Sequence, residues 1–226
     1  MTLLPGVSGT LFPSRFLTAT LTGGLGRAGP TGPDDEFRRQ LRAWWNRVES
    51  TCGPATGVRA LFDLAAMPLA ALLGFRAHDA IFDRAHVAAR LCTRRGATVA
   101  LLVLPWASRP SRVWRLIAGT TRDVGADWCL LLSPPFLTLV DGRGQAIRRN
   151  LDFTLPDALH DASLPALWLL CRAGAFDTGV TAEGDRATVL DLLAARATHF
   201  QDTVRQDLQA GVVQAIVAIG GVIDKR

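Results

Sequence analysis

Residues 97–106 read ATVALLVLPW, an apolar run of strand length without a charged residue. A strand with apolar side chains pointing both ways must be covered on both faces. This run therefore predicts a central strand, with helices or further strands packed above and below it. Helix-period segments on either side of it make the expected class α/β.

The neighbouring segments fill in that expectation. Asp34 and Asp35 predict the start of a helix through EFRRQLRAWWNRVES, whose Phe37, Leu41, Trp44, Trp45 and Val48 fall at helical spacing. Gly53-Pro54 stops it. A second helical pattern covers roughly 56–73, is interrupted by Pro68 and ends at Gly74. From Phe75 to Cys92 apolar and polar residues alternate, and the turn TRRG follows. SRPSRVWRLIAGTTRDVG (108–125) reads as a helix from about Ser111, with Val113, Leu116, Ile117 and Thr120 inward. DWCLLLS (127–133) and FLTLVD (136–141) flank a tight SPP turn and must pair antiparallel. AIRRNLDFTL (146–155) is a third strand segment, Asp157 or Asp161 opens a helix through LPALWLLCRAGAF, and 187–219 is a long helical pattern.

The expected architecture is α/β: a small mixed sheet with an antiparallel hairpin, flanking helices and a long C-terminal helix. Three divisions are expected: a flexible N-terminal arm at 1–33, with room for a short structured piece around Leu11–Leu21, an α/β domain at 34–176, and a linker with a helical connector at 177–226.

Charge narrows the chemistry. The chain of 226 residues carries a formal net charge of +5, with Arg supplying every basic residue except Lys225. A mechanism that needs an internal lysine is excluded. Arginine-borne charge suits phosphate contacts, because the guanidinium fork matches phosphate oxygens and stays charged. Cys52, Cys92, Cys129 and Cys171 are dispersed without a C-x-x-C pair, so free thiols in a reducing cytoplasm are expected. The N-terminus lacks a signal-peptide pattern, and no run of about 18 apolar residues suggests a membrane partner.

Few residues are placed for catalysis. His78, His86, His160 and His199 form no helical metal pair, although His86 lies near Asp83. LTGGLGRAG (21–29) resembles a phosphate loop but lacks the GK[ST] continuation. SPPF (133–136) matches the [DNS]PP[YFW] loop of amino-methyltransferases acting on DNA. It is followed at once by a second strand, and no strand is read as ending in a G-x-G cofactor loop where S-adenosylmethionine would sit, so a Pro-Pro hairpin turn is the favoured reading. A PD-(D/E)xK nuclease needs two acids to hold Mg2+ and a lysine beside the water. The layout of 75–141 suits such a fold, and Asp79 and Asp83 are the acidic candidates on its first strand. The acid–x–Lys position, however, is filled by Leu102-Val103-Leu104-Pro105.

The block from GATVALLVLPW to NLDFTLPDAL, followed by LPALWLLCRAGAF, resembles the N-terminal region of type IIG-like restriction–modification proteins. In that family an endonuclease-like domain is fused to an adenine-specific DNA methyltransferase. Ala126, Trp128, Leu139, Val140, Asp141, Arg148, Arg149, Leu151 and Phe153 stand at the matching places, and 187–219 is similar to the helical connector. The likeness spans about 75–219. Here SPP replaces the family's Asn-Gly turn, and the methyltransferase region is expected to be missing.

The resemblance implies a catalytically silent, nuclease-like module of a bacterial restriction–modification or phage-defence protein. Its implied partners are double-stranded DNA and a methyltransferase domain or subunit. Mg2+ enters only if the nuclease is active, and S-adenosylmethionine only through the methyltransferase. A methyltransferase fragment and a purely structural interaction module are the alternatives. Candidate DNA-binding residues are Arg94 and Arg95 on the turn before the central strand, Arg109, Arg112 and Arg115 on the next helix, and Arg148 and Arg149. The last two point to opposite faces of a strand, so at most one of them would face DNA.

Overall fold

The computed structural model describes residues 4–22, 32–109, 113–143, 149–180 and 186–223, so Arg112, Arg148 and most of LTGGLGRAG fall outside the described residues. The chain is a mixed α/β protein. Among the described residues, seven strands form one sheet in the order β1-β7-β6-β5-β4-β3-β2. They are β1 (Val7–Gly9), β2 (Arg76–Phe82), β3 (Val87–Cys92), β4 (Thr98–Val103), β5 (Trp128–Ser133), β6 (Phe136–Asp141) and β7 (Asn150–Thr154). β2, β3 and β4 form an antiparallel meander. The chain then crosses over through α5 (Trp114–Asp123) and returns as β5, parallel to β4. β6 and β7 complete a second meander.

β4 occupies the centre, as its composition requires. Val99, Leu101 and Val103 enter the larger core, while Ala100, Leu102 and Leu104 enter a smaller one beneath α5 with Ile117, Cys129, Leu131 and Val140. The larger core is closed by α2 (Asp35–Thr51), α4 (Met67–Leu72) and α7 (Leu164–Cys171). Asp34 caps α2 by accepting from the Phe37 N–H at 2.7 Å, as the sequence predicts. Trp44 and Trp45 are buried, and the Trp44 indole donates to the Ala65 carbonyl at 3.0 Å.

Pro68 lacks the N–H that would bond Leu64 in an α-helix. After α3 (Val58–Leu61) the backbone accordingly widens into a π-turn at Phe62–Ala66, closed by Met67 N–H to Phe62 O. Cys129 and Cys171 are buried, and burial pushes the Cys129 thiol up to about 12.

The N-terminal segment holds its structured piece near Leu11–Leu21, but it also adds a strand to the sheet that the sequence does not predict. β1 pairs antiparallel with β7, and α1 (Ser14–Thr22) follows, with Leu11, Phe12, Phe16 and Leu17 buried in the larger core. The glycine- and threonine-rich composition hides this, because the apolar residues pay for ordering only once the sheet edge is present to receive them. At Gly9 (φ 139°) a Cβ would stand 2.3 Å from the Asn150 carbonyl oxygen, so β1 can approach β7 only as glycine.

Two further expectations are corrected. Neither Asp157 nor Asp161 caps the helix through LPALWLLC. α6 (Leu155–Ala158) is a single turn that contains Asp157, α7 starts after Ser163, and Asp161 accepts from Arg42 at 2.6 Å. Within 177–186, β8 (Gly179–Val180) pairs with β9 (Arg186–Ala187) as a two-stranded ribbon.

α8 (Val189–Ile223) starts inside the domain, burying Leu190, Leu193 and Ala197. Thr188 and Asp191 cap it reciprocally: the Asp191 carboxylate accepts from the Thr188 N–H and hydroxyl, and the Asp191 N–H donates to Thr188 Oγ1. Arg143 bridges Asp141 at 2.9 Å and Asp191 at 2.5 Å, tying the β6 end to the helix. Partial burial works against the Asp191 carboxylate, yet Thr188 and Arg143 together hold it below the ordinary range.

Gly9→Ala is expected to unseat β1, with faster proteolysis ahead of Ser14 and a stability loss of about 1–3 kcal/mol in urea titration. Because the folded Asp191 carboxyl lies below its unfolded value near 3.9, its contribution is present above that pH and lost on further acidification. Asp191→Asn should cost about 1 kcal/mol at neutral pH and flatten the acid limb of stability below roughly pH 4, read by circular dichroism.

Candidate functional site at the end of the central strand

β4 runs out at a cleft of about 660 Å3. Leu104, Val113 and Leu116 give it an apolar lining, the β2–β3 turn contributes Ala85 and His86, and the loop after β4 contributes Trp106, Ser108 and Arg109. α5 follows that loop, so the cleft lies where the chain leaves the sheet for its crossover. The carboxyl ends of strands at such a crossover are where open α/β sheets commonly bind ligands.

The loop 104–109 is held by the following hairpin. The Leu104 N–H donates to Leu132 O at 2.9 Å, extending the parallel ladder by one residue, and the Ala107 N–H donates to Pro134 O at 2.7 Å. Ser133 is wholly buried. Its hydroxyl donates to Pro105 O at 2.6 Å and accepts from the Ser108 N–H at 2.7 Å. Ala107 adopts φ 58°, a left-handed conformation that turns the chain back toward the strand ends. Arg109 then lays its guanidinium over the Phe136 ring, 3.8 Å from the centroid.

SPPF is thus a hairpin turn, with Ser133 paired to Phe136 across Pro134 and Pro135. Its serine hydroxyl is committed to the neighbouring loop, which is not the arrangement of a target-amine loop.

Beside the opposite wall the Asp83 carboxylate accepts from the Ala85 N–H at 2.9 Å and faces His86 Nδ1 at 3.6 Å. Asp79 lies elsewhere. It sits at an irregularity of the edge strand β2 with φ 51° and pairs with Arg90 at 3.2 Å. Asp79 and Asp83 therefore have different partners, Arg90 for one and His86 with the Ala85 N–H for the other. Facing them across the sheet end, β4 offers only Val99 to Leu104. These residues do not fit the Mg2+ site of a PD-(D/E)xK nuclease, and among the described residues no three His, Cys, Asp or Glu side chains gather as a metal cluster.

The sheet divides the candidate arginines between its two ends. Arg94 and Arg95 lie on the β3–β4 turn, and Arg149 precedes β7 beside Asp141, all at the end where β4 and β5 begin. Arg109 lines the cleft at the other end, and Arg115 stands in the first turn of α5 on that side. Six residues of β4 put about 20 Å between the two groups, so they do not form one patch. The structure adds Arg84, exposed on the β2–β3 turn, and Arg59, whose guanidinium lies 4.6 Å from the Phe82 ring at the same end. Among the described residues none of Arg84, Arg109 and Arg115 forms an ion pair. Sequence reasoning missed Arg84, Trp106 and Ser108; only the pairing of β3 with β4 brings them to one mouth.

Comparison with protein-family models, with curated proteins and with solved structures returns no match to this chain. What the fold and site define is a class: a mixed α/β protein with a cleft at the end of its central strand, lined by Arg109 and His86.

Ser133→Ala would remove the hydroxyl that bridges the Ser108 N–H and the Pro105 carbonyl, leaving only their direct 3.2 Å bond. A loss of about 1 kcal/mol in stability is expected, with stronger acrylamide quenching of tryptophan fluorescence as the Trp106 loop loosens.

Proposed function

We propose that this chain is a DNA-contacting, nuclease-like module that does not itself hydrolyse DNA, belonging to a restriction–modification or phage-defence protein. One observation carries the reading. A three-strand meander, a helical crossover and a parallel fourth strand suit the layout expected of such a domain, and at the strand end where phosphate would lie Arg109 lines the cleft, with Arg84 on the β2–β3 turn and Arg115 at the start of α5. Where a hydrolytic centre requires acids and a lysine, the chain has Val103, Leu104 and Pro105. Its work in this reading is to hold the duplex backbone beside a methyltransferase.

The contact would be electrostatic, since guanidinium groups on turns and loops meet phosphates without reading bases. Duplex affinity should fall steeply as salt rises. Replacing Arg84, Arg109 and Arg115 together with alanine should shallow the slope of log affinity against log salt by about 2–3. Fluorescence anisotropy at several salt concentrations checks this, and an unchanged slope would remove the proposed face.

A second reading, a protein-interaction module, is favoured by the exposed Ile81 and Phe82 on the edge strand β2. It predicts no duplex binding at any salt, together with co-elution with a separately produced methyltransferase.

A further inference from the structure

We propose that the cleft at the end of β4 is a metal-independent binding site for the phosphate monoester of a nucleotide, with Arg109 and His86 holding the phosphate. The choice of a nucleotide ligand rests on the nucleic-acid reading above; the choice of a phosphate monoester rests on the cleft itself.

Arg109 is the first reason. Stacking on Phe136 covers one face of the guanidinium and fixes its plane, which leaves the N–H edges as in-plane donors. Among the described residues it has no carboxylate partner, so its charge is not already neutralised. A planar fork held in this way suits an oxyanion with two or more oxygens on one side.

His86 is the second. Its Nδ1 lies 3.6 Å from Asp83 Oδ1, so that side of the ring faces the carboxylate and Nε2 is the ring nitrogen left for a ligand. In the neutral ring Nε2 accepts a hydrogen bond; in the imidazolium it donates one. A phosphate monoester can meet either demand, because it both carries and loses a proton near neutral pH. A phosphodiester has no O–H and satisfies only the imidazolium. Asp83 stands behind His86, next to the cleft lining, and its carboxylate is engaged by the Ala85 N–H as well as facing the ring.

The remaining lining suits the rest of a nucleotide. Trp106 supplies an aromatic surface of the kind on which bases stack, and Leu104 and Leu116 exclude water beneath the charged groups. The volume falls within the range of small-molecule pockets and exceeds what a bare anion would need.

The test uses the full chain with EDTA present and two labelled single strands of about ten nucleotides, one with a 5′-phosphate and one with a 5′-hydroxyl. Anisotropy should show about tenfold tighter binding of the phosphorylated strand. Arg109→Ala and His86→Ala should each bring the ratio below about twofold, whereas Arg47→Ala, the same charge change on α2, should keep it. Circular dichroism checks that each variant is folded, and Arg109→Gln serves if the alanine variant is not.

Adenosine 5′-monophosphate, set against adenosine, separates the two sources of the monoester. Competition at matching concentration marks a free nucleotide as the ligand, and failure to compete marks a strand end. Equal binding of the two strands, or a preference that survives Arg109→Ala, overturns the proposal. Duplex binding without any phosphate preference overturns this site alone, while a phosphate preference without duplex binding overturns only the DNA-contact reading.

Discussion

β4 has no solvent-facing side, and most of the architecture follows from that constraint. Its alternate residues enter two different cores, so a layer of structure must lie on each face. α5 supplies one layer, and α2, α4 and α7 supply the other. Because α5 also carries the chain from β4 to the parallel strand β5, covering the smaller core and making the crossover are one event. Burial of this kind is worth about 2 kcal/mol for each large aliphatic side chain. A polar substitution in the middle of β4 would therefore disturb both layers together.

The same constraint shapes the cleft. A strand that is apolar to its last residue cannot place acids at its carboxyl end, so any chemistry there must come from the loops that follow. Those loops are held by ordinary backbone bonds and by one buried hydroxyl, that of Ser133, which spans Pro105 and Ser108. The resulting mouth is cationic above and apolar below. Such a surface binds anions and orders water poorly. Holding a phosphate group is the chemistry that this arrangement serves best.

Much of the fold was legible because it rests on local periodicity. The helix capped by Asp34, the strand at 98–103, the hairpin at SPP and the long terminal helix each follow from spacing and turn residues. The N-terminal strand was not legible. Three residues ending in glycine carry almost no pattern, and β1 exists because β7 offers a free edge and Gly9 can approach it. The cap of α7 was misplaced for a related reason: Asp161 has the right chemistry for a helix start, but Arg42 from a distant helix claims it.

The amino-acid sequence by itself determined that the protein is α/β with a doubly covered central strand, that lysine chemistry is absent from its interior, and that SPPF closes a hairpin. These depend on residue type and spacing along the chain, which sequence reports directly. Only the tertiary structure decided which arginines share a surface. Strand direction sends Arg94 and Arg95 to one end of the sheet and Arg109 to the other, and it brings His86 across from Arg109 although 23 residues separate them. Proximity of that kind is fixed by register between strands, a property of pairs of segments that neither segment carries alone.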